Sequence, residues 1–261
     1  MTDAASSASP LDRLVAEAVV GGMPAAVADL GDLVRIPSVS WPAFDPAHVA
    51  QSADAVAALL TGTGVFDAVE VKRAQKAGFP EGELGHPAVL ATRAARNGRP
   101  TVLLYAHHDV QPQGDEAGWE TNPFDPTVKG DRLYGRGAAD DKAGVMAHVA
   151  AIRALAATTA DLEVGLAVFI EGEEEHGSHS FVHFLEDNRD ALAADLIIVA
   201  DSDNWDVDTP NLTVALRGAC AFNMTVSTLE HASHSGMWGG AAPDAMLATI
   251  KLLSTLWDEK G

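Results

Sequence analysis

Residues 101–109 read TVLLYAHHD. The first six form a short apolar run of the kind buried inside a parallel sheet. The next three, His107, His108 and Asp109, bring metal-capable side chains to the carboxyl end of that run. The pattern recurs twice. LEVGLAVFI at 162–170 leads into Glu171, Glu173, Glu174 and Glu175, and DLIIVA at 195–200 leads into Asp201 and Asp203. Another short apolar run lies at 89–92, and helical spacing marks 143–157 and 180–192. Apolar runs alternating with helices predict an α/β fold, a largely parallel mixed sheet flanked by helices. Open sheets of this type bind ligands beyond the carboxyl ends of their strands. The three clusters therefore meet at one edge. GRGAADDKAG, at 135–144, adds Asp140 and Asp141 just ahead of a helix.

Working outward, residues 1–9 are small and polar and predict no structure. Apolar spacing of three and four residues over 11–34 predicts a helix broken at Gly21-Gly22, or two short ones. A second helix is expected over 46–61. The pattern shifts again near Thr209-Pro210. Alternation at 212–216 and 221–229 predicts antiparallel strands, and Pro243 opens a helix to about 257, with Asp244 in its first turn. The expected organisation is a catalytic metal-binding domain over 1–210 and the incomplete beginning of an α+β domain over 211–261.

Composition narrows the function. The 261 residues carry 37 acids against 17 bases, a formal net charge of -20. Such a chain repels phosphate backbones and anionic lipid, so neither nucleic acid nor membrane is an expected partner. Cys220 is the sole cysteine, which excludes an internal disulfide and fits a reducing compartment. No signal peptide is visible at the start, and no apolar run is read as a membrane span. The expected location is the cytoplasm.

Taken singly, each acidic or histidine cluster is ordinary: an Asp after a strand is usually a turn residue or a helix cap, and EGEEEH is usually a solvated loop. Gathered at one edge, the carboxylates repel one another unless a cation neutralises them. Imidazole with carboxylate suits zinc, and also manganese or cobalt. Two metals sharing one carboxylate call for about five side-chain ligands, which fits the number on offer in these clusters better than one metal does.

These segments resemble those of a known family. YAHHDVQP, at 105–112, resembles the metal-binding signature G-H-x-D-V-x-P of the M20 metallopeptidases, with Ala106 in place of the glycine. GRGAADDKAG, EGEEEHGS and ADSDNW resemble the family's next three site segments in order, and HSGMWGG resembles part of its lid. The wording is most similar to the bacterial dipeptidase and carnosinase-like branch.

The resemblance implies a dinuclear zinc exopeptidase-like catalytic domain followed by a lid and dimerisation domain. It implies His107 and Asp201 on one divalent ion, Glu175 on a second, and Asp140 bridging them. Asp109 would orient His107, Glu174 would be the general base, and His234 would meet the substrate carbonyl oxygen. Glu173 is left as a bystander, Asp141 as a residue that helps the next helix start, and Lys142 as structural or an ion-pair partner. The implied reaction is two-metal hydrolysis of dipeptides or short peptides with a free carboxylate, in a homodimer. Related enzymes deacylate N-acyl amino acids, which is the alternative chemistry. Family members are longer and supply a last histidine ligand after the lid. The resemblance thus implies a truncated chain, active or reduced to a metal-binding fragment.

Overall fold

The computed structural model describes residues 9–259. Chain contacts divide it into two compact units that meet between Asn211 and Leu212.

The first unit is built on a five-stranded sheet. Its strands are β1 (Ala68–Lys72), β2 (Ala88–Arg93), β3 (Thr101–His107), β6 (Gly165–Glu171) and β7 (Leu196–Val199), in the spatial order β1-β2-β6-β3-β7. β2 runs antiparallel to both β1 and β6, while β3 is parallel to β6 and β7. Four of the five strands therefore point one way; three of the four apolar runs read as strands form the parallel part, the run at 89–92 is the antiparallel strand, and β1 was not read from the sequence. β4 (Thr127–Lys129) and β5 (Arg132–Tyr134) form a separate small hairpin that the sequence reading missed. Its turn uses Gly130 at φ +65°.

Strand parity sets the layers. Val89, Ala91, Leu104, Ala106, Leu166, Val168 and Ile170 point to the face covered by α1 (Pro10–Val34), α2 (Pro46–Gly62) and α3 (Lys142–Thr158). Leu90, Leu103, Ala167 and Phe169 point the other way, toward α4 (Phe181–Asp187) and α5 (Arg189–Leu192). There Phe169 stacks on Phe184, with ring centroids 4.5 Å apart. The single helix expected over 180–192 is two pieces, with Asn188 between them. β7 is the sheet edge, and its four apolar residues are 44–60% exposed.

α1 is one helix rather than a broken one. Gly21 and Gly22 each cost about 1 kcal/mol against alanine. The helix lies along α3, where Ala26, Leu33 and Val34 are buried and Asp29 pairs with Arg153 at 2.6 Å. Packing therefore outweighs local propensity. Ser9 and Asp12 form a reciprocal capping box at its start, which corrects the expectation of no structure at Ser9. Residues 1–8 lie outside the described residues. Against the expectation of no membrane-length apolar run, α1 is long and apolar enough to cross a membrane by length and composition alone. In the described structure it packs by its C-terminal half, through Ala26, Gly31, Leu33 and Val34 and the ion pair to α3, and its other residues are largely exposed.

Lys142 closes the far end of α1. It is fully buried, and its Nζ donates to the carbonyls of Leu33 at 2.8 Å and Ile36 at 2.7 Å. Burial pulls its pKa down to about 7, and the amine can donate in either charge state. Lys142→Met is expected to lower stability by about 1–3 kcal/mol, because two buried carbonyls lose a donor. Urea unfolding of the two proteins measures the difference.

The second unit corrects an expectation. No strand forms over 212–229 among the described residues. A strand holds its conformation through ladder partners and a buried face, and Leu212, Val214 and Leu216 are 85–92% exposed. The helical forecast fares better. α6 (Ser235–Trp238) is a single turn, and α7 (Ala245–Leu253) continues into a 3-10 turn at Ser254–Leu256. Asp244 is the N-cap of α7, accepting from the Leu247 N–H at 2.9 Å, rather than a first-turn residue.

Candidate metal centre

β3, β6 and β7 run parallel, so their carboxyl ends share one edge of the sheet. His107 is the last residue of β3, the Glu173–Glu175 turn follows β6, and Asp201 follows β7. The start of α3 brings Asp140 and Asp141 to the same edge. Its approach is close: a Cβ on Gly144 would lie 1.9 Å from the Ala200 carbonyl oxygen and 2.2 Å from Asp141 Oδ1. Only glycine lets the first turn of α3 meet the end of β7 this tightly.

His107, Asp140 and Asp201 each present a ligand atom, all within 4.8 Å of one another. His107 Nε2 lies 3.2 Å from Asp140 Oδ1, 3.9 Å from Asp201 Oδ2 and 3.8 Å from Glu174 Oε2. The imidazole is buried while Asp140 and Asp201 are exposed and line a cavity of about 560 Å³ together with Asp203 and Asn204.

Asp109 is buried at the centre of the support. Its carboxylate accepts from Ser40 Oγ at 2.6 Å and from the backbone N–H groups of Glu174 and Glu175, both at 3.1 Å. His107 Nδ1 lies 3.1 Å from the Asp109 carbonyl oxygen and 3.4 Å from Oδ1. One side chain thus holds the histidine and the double-glutamate turn together, a wider task than orienting His107 alone.

Two neighbours depart from the sequence reading. Glu173 is no bystander. It is buried, and its carboxylate accepts from Ser180 N at 2.5 Å, Ser180 Oγ at 2.6 Å and His86 N at 3.0 Å, which pins the turn from below. Asp141 stands at the N-cap position of α3 without a side-chain cap bond; its carboxylate accepts from the His107 N–H at 3.0 Å. Glu175 is also held: Gln111 Nε2 donates to Glu175 Oε2 at 2.7 Å and to its carbonyl oxygen at 3.2 Å, and Trp41 Nε1 donates to that carbonyl at 3.1 Å. Gln111 stands inside the quoted 105–112 stretch. Ser40 and Trp41 are far away in sequence, with no periodic signal to mark them.

Three other histidines in this region are engaged with backbone, while His176 and His179 make edge contacts with each other and with Trp41 and Phe79. His108 Nε2 meets the Pro87 carbonyl, His148 Nε2 that of Tyr105 and His86 Nε2 that of Ser40, at 2.9–3.0 Å. Burial drives His108 down to about 4, so it is neutral. His234 lies in the second unit as the N-cap of α6, with its Nδ1 accepting from Gly236 N at 3.0 Å.

The electrostatics fit a cation. Burial by itself would lower the His107 pKa, but the hydrogen bond and charge of Asp109, with Asp141 and Asp201, push it up to about 10. Burial, aided by Asp201 and Asp140, raises the Asp141 carboxyl to about 7 against the opposing pull of His107. Burial also raises Glu174 and Glu175, each with a neighbouring carboxylate adding to the effect. Burial first, and the crowding of like charges second, favour the protonated forms of these carboxyls, and a divalent cation satisfies the same demand for positive charge. The donor set of one imidazole and carboxylates suits zinc, manganese or cobalt.

Residues 103–253 match the model of peptidase family M20/M25/M40. The chain is 42% identical over 163 residues to the cysteinylglycine-S-conjugate dipeptidase of Corynebacterium striatum, covering 62% of this chain and 36% of that protein. It is 37% identical over 179 residues to the Cys-Gly metallodipeptidase of Schizosaccharomyces pombe, covering 67% and 37%. Human carnosine dipeptidase 1 superposes with a TM-score of 0.63 at 26% identity, covering 96% of this chain and 53% of that one. The chain thus spans little more than a third of the length of these curated relatives. With the matched region taking in the whole candidate centre from His107 to Asp201, the chain belongs to peptidase family M20/M25/M40.

Proposed function

We propose that the protein hydrolyses the peptide bond of dipeptides or short peptides with a free carboxylate, using two divalent ions, zinc first among them. The observation that carries the reading is the His107, Asp140 and Asp201 group, three ligand atoms converging at the carboxyl edge of the sheet. His107 and Asp201 would hold one ion and Glu175 the other. Asp140 would serve both, because its charge acts on Glu175 as well as standing beside His107. When bound, such ions acidify water and steady negative charge on a carbonyl oxygen.

The chain's own groups do the rest. Glu174 takes a proton from the attacking water and delivers it to the amine nitrogen as the C–N bond breaks. Its raised pKa suits a group that must hold that proton between the two steps. Asp109 keeps His107 and Glu174 in fixed relation, and His234 would meet the carbonyl oxygen. The dipeptidase names of the relatives support a dipeptide substrate. The net charge of -20 supports the absence of nucleic acid among its partners. The single, exposed Cys220 supports a cytoplasmic location. The exposed Met246, Leu247 and Ile250 on α7 support a homodimer through the second unit.

The test is hydrolysis of a dipeptide and of an N-acyl amino acid before and after chelation. Dipeptide turnover is expected to disappear with chelator and return with zinc. Turnover of the N-acyl substrate alone would move the protein to the amidohydrolase chemistry, and turnover indifferent to chelation would remove the metal from the reading.

A further inference from the structure

Two adjacent glutamates at the edge are held very differently. Glu174 is tied through its backbone, its N–H to Asp109 and its carbonyl oxygen to the Gly177 N–H, while its carboxylate lies 3.8 Å from His107 Nε2 and accepts no hydrogen bond among the described residues. Glu175 is gripped on every side. Its N–H goes to Asp109, its carbonyl oxygen accepts from Trp41 and Gln111, and its Oε2 accepts from Gln111 at 2.7 Å. A carboxylate with one oxygen occupied by an amide donor presents the other in a fixed direction. That suits a ligand, whereas a base that must move between water and amine needs freedom.

We propose that Gln111 is the positioning residue for Glu175: its amide fixes Oε2 and leaves Oε1 as the single ligand atom for the second ion. This rests on the two-ion reading above. Partners behind a ligand set its orientation, and their loss typically weakens metal binding 10–100-fold. The register of the motif also gains a reason. Gln111 follows Asp109 by two residues, so one extended segment places the support for His107 and the support for Glu175 side by side.

The experiment is a zinc titration of the full chain, competed against a chromophoric chelator, in a double-mutant cycle of Gln111→Met and Glu175→Ala. Gln111→Met is expected to weaken zinc binding about 10-fold or more. In the Glu175→Ala background the same change is expected to have no further effect, since nothing remains to position. A cavity or packing effect would instead lower the zinc-free melting temperature and add equally in both backgrounds; Gln111→Leu, with a different shape, checks that the loss follows the donor and not the methionine. Unchanged zinc affinity in Gln111→Met, or an additive loss, overturns the proposal. If Glu175→Ala itself leaves zinc binding intact, the ligand assignment fails first, and Gln111 has no ligand to position.

Discussion

Glu174→Gln is expected to lower dipeptide turnover by about 10²- to 10⁴-fold, the range for a general acid–base, while bound zinc stays at the wild-type level. Glutamine keeps the size of the side chain and the backbone N–H that Asp109 Oδ1 holds at 3.1 Å. What it loses is the capacity to take a proton. Because the carboxylate of Glu174 is 38% exposed and lies 3.8 Å from His107 Nε2, the substitution disturbs little around it. The matching Glu175→Gln protein is expected to behave in the opposite sense, with zinc lost and turnover falling as a consequence. Elemental analysis beside steady-state kinetics separates the two. Zinc lost from Glu174→Gln and kept in Glu175→Gln would shift the assignment by one residue along the EGEEEH run.

The parallel edge was legible because three apolar runs each ended in the same kind of residue, and burial of β6 on both faces leaves little freedom in how such a run folds. His107 is preferred to His108 because the resemblance places the ligand two residues before Asp109; in the structure His108 turns to the Pro87 carbonyl while His107 faces Asp140. What the sequence hid were contacts between distant segments. Ser40 meets Asp109 across 69 positions, and Trp41 meets Glu175 across 134. Neither has a local pattern, since both lie in an irregular stretch fixed to the sheet edge by the isolated bridge between Val39 and Val110. Glu173 was misread for a related reason. In a run of three glutamates nothing local says which one turns inward, and the answer depends on Ser180 and His86 arriving beneath it.

The strands expected over 212–229 show the opposite failure. Alternating apolar residues are a strand signal only when a surface exists for one parity to cover. Val214 and Leu216 have no such surface among the described residues, and the pattern alone does not hold a ladder. α7 forms because its hydrogen bonds are internal to the segment and Asp244 caps it. Local structure survives where non-local pairing does not.

Asp140→Asn is expected to reduce occupancy of both ions together, with a loss in affinity exceeding the roughly 100-fold upper range for groups that only support a ligand. Asp140 Oδ1 stands 3.2 Å from His107 Nε2, so it belongs to the group that would hold the first ion. Its charge also raises the Glu175 carboxyl, so it acts on the ligand proposed for the second. A terminal ligand would touch one ion only. Asparagine preserves the shape but removes the charge and one strong acceptor, leaving a bridging position with a single neutral oxygen. Asp141→Asn is the control. That carboxylate is committed to the His107 N–H at 3.0 Å, which an asparagine oxygen can still accept, so zinc is expected to remain near two per chain. Metal stoichiometry by elemental analysis and zinc titration decide between them. Loss of one ion alone in Asp140→Asn would make Asp140 a terminal ligand. Full occupancy with full turnover there, and loss in Asp141→Asn, would transfer the bridge to Asp141 and require its carboxylate to exchange the His107 N–H for metal.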